Sequence, residues 1–222
     1  MTALTAAEQL NTRVAGVLGR MGLGVVATFV TASVVNGMGI VPMLFQGVLG
    51  YVIIFLPLLM SLGIGFFGQN LSTSAIKGLY FAFAGAMGLS LSLLFYLFTT
   101  ASIVTALIGT SVSFGALAAW GYFTKRDLSG WGPFLFAGVI GLIIASIVGV
   151  FLESTALQMT INVLCIVIFL GMTAYDMNRM RDELYYENDE TVDRTQWYLA
   201  LSLYINFINI FTSLLQLLGN RE

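Results

Sequence analysis

Histidine is absent from this 222-residue chain, cysteine occurs once, and only 9% of the residues are charged. Without histidine there is no imidazole for the usual transition-metal sites or for the base of a Ser-His-Asp triad, so the chain is not expected to be an enzyme. Cys165 stands alone and has no partner for an internal disulfide. Nine Lys and Arg against eleven Asp and Glu give a formal net charge of -2. No basic surface exists to follow a phosphate backbone, so no nucleic-acid partner is expected. What the chain does have is apolar mass: 58% of it is hydrophobic and its mean hydropathy is +0.92. Soluble domains run at about 45–50% apolar and about 25% charged residues, so the solvent this sequence is built for is the lipid bilayer.

A helix needs about 20 apolar residues to cross a hydrocarbon core of about 30 Å. Seven stretches qualify: Met21 to Ile40, Val48 to Phe67, Leu79 to Phe98, Ser102 to Phe123, Phe134 to Leu152, Thr155 to Asp176 and Trp197 to Leu218. The expectation is an all-α polytopic protein, one seven-helix membrane domain over residues 1–222. Residues 1–20 read as a short amphipathic cytoplasmic lead-in with no signal-peptide core, which favours a bacterial cytoplasmic membrane. Residues 181–196 read as an acidic cytoplasmic loop. That loop carries Asp182, Glu183, Glu187, Asp189, Glu190 and Asp193 but lacks the EF-hand spacing, so it is taken as a solvated charge run. With seven spans, eight basic residues (Arg13, Arg20, Lys77, Lys125, Arg126, Arg179, Arg181 and Arg194) share one side of the membrane and Arg221 is left on the other. The positive-inside rule then puts the N-terminus in the cytoplasm and the C-terminus outside.

Helices in lipid find one another through small residues. Ala137, Gly141, Ala145 and Gly149 repeat every four residues in the fifth span, Thr105, Gly109 and Ser113 in the fourth, and Ala82, Ala86 and Ser90 in the third. These are expected to mark packed faces. The last span carries a polar stripe, Ser202, Asn206, Asn209, Ser213 and Gln216, at intervals that hold all five on one helical face. Such amides and hydroxyls face other helices or water, either as interhelical glue or as the lining of a path. Asp176 is the sharper signal. It closes the sixth span on the same face as Asn162, Phe169 and Thr173, and a carboxylate at a helix centre costs about 2.5–3.5 kcal/mol to insert. It either escapes to cytoplasmic water, paired with Arg179, or turns inward toward Asn206 as an ion or proton site whose protonation responds to pH. Carboxylate and amide oxygens are hard ligands suited to calcium, magnesium or sodium, and a single acid makes a transient stop, not a closed cage.

The run Phe123-Thr124-Lys125-Arg126-Asp127-Leu128-Ser129, the pair Tyr175-Asp176, and above all Ala200-Leu201-Ser202-Leu203-Tyr204-Ile205-Asn206-Phe207-Ile208-Asn209-Ile210-Phe211 resemble the transmembrane Bax-inhibitor-motif family, also called the Bax inhibitor 1 or YccA-like family. The resemblance covers essentially the whole chain. It implies a seven-helix protein whose last helix lies inside a ring of six, linked to calcium leak across membranes, with some bacterial members instead modulating a membrane protease. In the calcium-leak members two aspartates of the last two helices share a titrating hydrogen bond, and an arginine near the second helix acts as a latch. Asp176 matches the first aspartate, Asn206 stands at the second position, and Gln69 to Ile76, where the latch falls, contains no basic residue.

Two functions follow as expectations. In the first, Asp176, Asn206, Asn209, Ser202 and Ser213 line or gate a passive path for calcium or other cations, with Asp176 as the metal-contacting residue and no bound cofactor. No G-x-x-x-x-G-K-[ST] loop is present to couple nucleotide hydrolysis. In the second, the protein conducts nothing and regulates another membrane protein, such as a quality-control protease.

Overall fold

The computed structural model describes residues 5–67, 71–152, 154–188 and 191–221; Gln69, Asp189 and Glu190 of the stretches named above lie outside that set. The described residues form eight helices: α1 (Ala6–Gly37), α2 (Val41–Leu44), α3 (Gly47–Phe67), α4 (Thr73–Leu97), α5 (Thr100–Phe123), α6 (Trp131–Leu152), α7 (Thr155–Tyr186) and α8 (Val192–Leu218). Seven of them, all but the four-residue α2, are long and apolar enough to cross a membrane. Among the described residues the extended pairing is a single antiparallel bridge between Phe98 and Arg221. The expected all-α polytopic architecture is therefore what the chain adopts.

The spans are where hydropathy placed them, but their ends are not. The lead-in expected over residues 1–20 is helix from Ala6 onward, continuous with the first span. Its start is set by a capping box: the Thr5 side chain accepts the Glu8 backbone N–H at 3.3 Å, and the Thr5 backbone N–H donates to Glu8 Oε2 at 2.7 Å. The loop expected over residues 181–196 is also mostly helix, because α7 runs on to Tyr186 and α8 begins at Val192. Polar flanks of this kind satisfy their backbone in water as well as in helix, so charge marks the membrane boundary and not the helix end. Between α1 and α3 the chain turns at Gly39 and Gly47, with φ of 68° and 59°, a region that glycine enters without strain.

The chain divides into two compact units: Met1–Thr100 with Glu187–Tyr204 and Arg221–Glu222, and Ala101–Tyr186 with Ile205–Asn220. Helix α8 contributes its first half to one and its second half to the other. Its most apolar window is 67% buried, against 11–33% for the other six spans.

In the first unit α1 packs on α4 at two glycines. A Cβ at Gly24 would lie 2.1 Å from Tyr80 Oη, and one at Gly88 would lie 2.6 Å from the Thr28 carbonyl. The close approach lets polar groups meet: Tyr80 Oη donates to the Arg20 carbonyl at 2.8 Å, Thr28 Oγ1 reaches the Ala84 carbonyl at 3.0 Å, and Tyr204 Oη of α8 lies 2.6 Å from Thr28 Oγ1. These are buried hydroxyls with partners, which the membrane interior demands. At one end of this unit Asp193 bridges Arg20 (2.7 Å) and Lys77 (2.8 Å), and both cations lie over the Trp197 ring. Asp193 is 42% exposed, so each pair contributes at most about 1 kcal/mol.

In the second unit α5 meets α7 backbone to backbone, since a Cβ at Gly121 would lie 2.3 Å from the Ala174 carbonyl oxygen. Helix α6 lies on α7 through Leu135 against Gly171 and Gly138 against Ile168. The small-residue stripes mark packed faces only in part: Ala145, Gly149, Ser113, Ala86 and Ser90 are half-buried, and a Cβ at Gly149 would meet Ile161 Cδ1 of α7 at 3.5 Å. Ala137, Gly141, Thr105, Gly109 and Ala82 are exposed, and the buried positions are instead Leu135 and Leu142 on α6, Ala106, Thr110 and Phe114 on α5, and Tyr80, Phe83 and Gly88 on α4. Small residues do lie on the packed faces, Ala106, Thr110 and Gly88 among them, but outside the repeats, and the glycines that matter are those a neighbour fills.

Candidate ion site

Helix α7 holds Asn162, Phe169, Thr173 and Asp176 on its buried face, as their spacing predicts. Asp176 is 9% exposed and Asn206 2%. Asn206 Nδ2 donates to Asp176 Oδ2 at 2.7 Å across the α7–α8 contact of the second unit. The carboxylate thus turns toward the last helix and not outward to bulk water. Arg179, the expected surface partner, has its Nε 3.3 Å from Glu183 Oε2, and α7 continues ten residues past Asp176.

The chemistry of this pair follows from the donor. A carboxylate that accepts an amide N–H at this length holds a charge-assisted hydrogen bond, shorter and stronger than one between neutral groups. The amide presents its donor, so its oxygen is not the atom facing Asp176; a cation drawn to the carboxylate competes with that N–H, and rotation of the amide would replace the donor with a second hard oxygen. Among the described residues no three His, Cys, Asp or Glu side chains gather to hold a metal ion. One carboxylate and one amide supply at most a fraction of the six to eight oxygens of a calcium shell, the remainder being water.

The rest of the polar stripe has other occupations. Asn209 Nδ2 donates to its own helix at the Ile205 carbonyl, 2.8 Å away, and the Asn209 backbone carbonyl accepts from Cys165 Sγ at 3.9 Å. Ser213 is buried at 4% exposure, Ser202 is half-buried one turn before Asn206 within the first unit, and exposed Gln216 accepts from Gln158 at 3.5 Å.

Two residues near the site escaped the sequence reading. Asn178 is buried and ties the α5–α6 connection to α7: its Nδ2 donates to the carbonyls of Gly121 and Arg126, each at 3.3 Å, and its Oδ1 accepts the Leu128 backbone N–H at 3.3 Å. Arg181 Nη1 donates to the carbonyls of Tyr122 (3.3 Å) and Thr124 (3.1 Å), covering the C-terminal end of α5 where unpaired carbonyls favour a cation. The available signal was a basic and an amide residue within one turn of a helix already carrying Asp176. Together they fix the rotation of α7 that aims Asp176 at α8.

Compared with known proteins, the chain matches over residues 10–222 the family model described as "Inhibitor of apoptosis-promoting Bax1". It is 34% identical over 220 residues to "Inner membrane protein YbhL" of Escherichia coli K12, covering 96% of this chain and 93% of that one. It is 38% identical over 206 residues to protein RP147 of Rickettsia prowazekii, covering 91% and 86%. A protein of Caulobacter vibrioides is 44% identical over 177 residues, covering 77% and 70%.

Proposed function

This chain belongs to the Bax inhibitor-like family of polytopic membrane proteins, and from that premise we propose that it is a passive leak path for cations, calcium among them, across a bacterial inner membrane. The observation that carries this reading is the buried hydrogen bond between Asp176 and Asn206. An ionisable side chain kept inside a membrane bundle is costly to insert and is retained where ions or protons pass. A lone carboxylate beside a rotatable amide binds a divalent cation loosely, and looseness is what conduction requires, since an ion held by a full cage does not leave. The serine and asparagine face of α8 offers further oxygen atoms along the same helix. The gradient drives transport, and Asp176 supplies the charge that compensates for lost hydration.

Purified protein in liposomes containing a calcium-sensing dye tests the reading. Calcium entry above that of empty vesicles is expected, and Asp176→Asn is expected to lower it several-fold. No entry above background at any pH from acid to neutral would remove the leak and leave the non-conducting regulator of another membrane protein, a protease for example, as the surviving function.

The same proposal places the N-terminus in the cytoplasm and the C-terminus outside, supported by the excess of Lys and Arg at one end of the spans. A phosphatase fused after Glu222 is then active in the periplasm; activity only in the cytoplasm would reverse the orientation.

A further inference from the structure

Two cavities of the second unit have wall residues that are neighbours in the chain. One, about 320 Å³, opens where the α5–α6 connection meets the last turns of α7, and its wall includes Asp127, Ser129, Tyr175, Arg179, Asp182 and Glu183. The other, about 470 Å³, is an apolar groove along α6 and α7, walled by Trp131, Phe134, Leu135, Val167 and Gly171. Ser129 of the first wall precedes Gly130 of the second in the chain, and Tyr175 stands one helical turn beyond Gly171, so polar and apolar wall residues follow one another on the same elements. Glycine brings the two walls together: a Cβ at Gly171 would lie 2.9 Å from Leu135 Cδ2, and one at Gly132 would lie 2.8 Å from the Tyr175 hydroxyl.

The charges of the polar cavity are unequal. Three carboxylates face one guanidinium. Arg179 lies 3.3 Å from Glu183, and Asp182 is 3.1 Å from Arg181. Asp127, among the described residues, has no cationic partner; its Oδ1 accepts the Ser129 backbone N–H at 2.8 Å, which holds its pKa below the usual carboxylate value and keeps it anionic at neutral pH. A ligand for this place has an apolar tail, a cationic group for Asp127 and an anionic group for Arg179.

We propose that the two cavities form one binding site for a phospholipid whose headgroup carries a primary amine, with the ammonium on Asp127, the phosphate toward Arg179 and an acyl chain along Val167 and Gly171. An anionic headgroup without an amine meets an excess of carboxylates there, and a trimethylammonium group has no N–H to donate. The groove lies on a helix pair of an integral membrane protein, where acyl chains are the surrounding solvent. The inference stands apart from the ion path, since none of these residues belongs to it.

Native mass spectrometry of the full chain in detergent, with phosphatidylethanolamine, phosphatidylcholine and phosphatidylglycerol added at equal concentration, tests it. Phosphatidylethanolamine is expected to be retained at least several-fold over the other two. Asp127→Asn is expected to bring it down to the phosphatidylcholine level, and Val167→Trp, at a position exposed on the groove, to reduce retention of all three. Equal retention of the three lipids, preference for phosphatidylglycerol, or an Asp127→Asn protein that binds as the native one does would overturn the proposal. Should Val167→Trp lose its monodisperse elution, competition by soluble glycerophosphoethanolamine replaces it: weak competition supports the groove, and competition as strong as that of the intact lipid refutes it.

Discussion

Asn206→Asp is expected to create or steepen a pH dependence of calcium flux. In the native chain Asp176 accepts an amide N–H of Asn206 at 2.7 Å, so that hydrogen-bonded pair holds one carboxylate. Replacing that amide with a carboxylate sets two acids in contact. At an effective dielectric of about 20, two unit charges 4 Å apart repel by about 4 kcal/mol. That repulsion separates the two protonation steps by about three pH units, so the pair shares one proton over a broad interval and then parts when the second proton leaves. Flux from dye-loaded liposomes, measured from mildly acidic to mildly basic pH, reads the change directly. The double variant Asp176→Asn with Asn206→Asp returns the site to one carboxylate and is expected to flatten the curve again. An Asn206→Asp curve that overlays the native one would show that Asn206 does not occupy the position of the family's second aspartate.

Gly121→Ala is expected to be among the most destabilising single-methyl additions to the second unit. The new Cβ would lie 2.3 Å from the Ala174 carbonyl oxygen and 2.7 Å from Ala174 Cα, and neither is a side chain that can rotate away. Helices α5 and α7 must separate, which strains the bonds that Asn178 and Arg181 make to the end of α5. Overpacking of a well-fitted contact costs about 1–3 kcal/mol, and a backbone-to-backbone clash sits at the top of that range. Gly109→Ala, on the same helix, is the control, because its Cβ would meet Leu214 Cδ1 at an ordinary 3.7 Å. There the gain in helix propensity, about 1 kcal/mol, works in favour of the variant. Thermal melting of the detergent-solubilised proteins compares them. Equal melting points would refute the close approach of Gly121 to Ala174.

Hydropathy made the seven spans legible because a stretch of about 20 apolar residues has few alternatives to a helix in lipid. It was silent on the helical extensions at Ala6–Arg20 and Arg181–Tyr186, where capping and backbone pairing, not hydrophobicity, decide. Asp176 and Asn206 were legible as a pair because each broke an apolar run on its own helix and the two helices are consecutive and antiparallel. Thr28 and Tyr204 were not. They are 176 residues apart, and a single threonine in the first span carries no mark that its hydroxyl will be bonded to the last helix. The small-residue stripes were right only in part, because spacing shows which residues share a face and not what that face touches. Gly24 and Gly121, outside every stripe, are the positions where a neighbour fills the missing side chain.

Asp176 comes 21 residues after the first residue of the 32-residue helix α7. At 1.5 Å per residue it stands about 31 Å along that axis, while its partner Asn206, 14 residues after the first residue of the 27-residue helix α8, stands about 21 Å along its own, so the bonded pair sits well inside the spans. On the proposed leak path, a cation at this carboxylate has part of the potential drop, worth about 2.3 kcal/mol per elementary charge at 100 mV, behind it and part ahead. Along that remaining distance α8 presents Ile210, Phe211 and Leu215, all at 0% exposure. On that proposal, both the occupancy of Asp176 and the current past the dry stretch beyond it should rise with voltage.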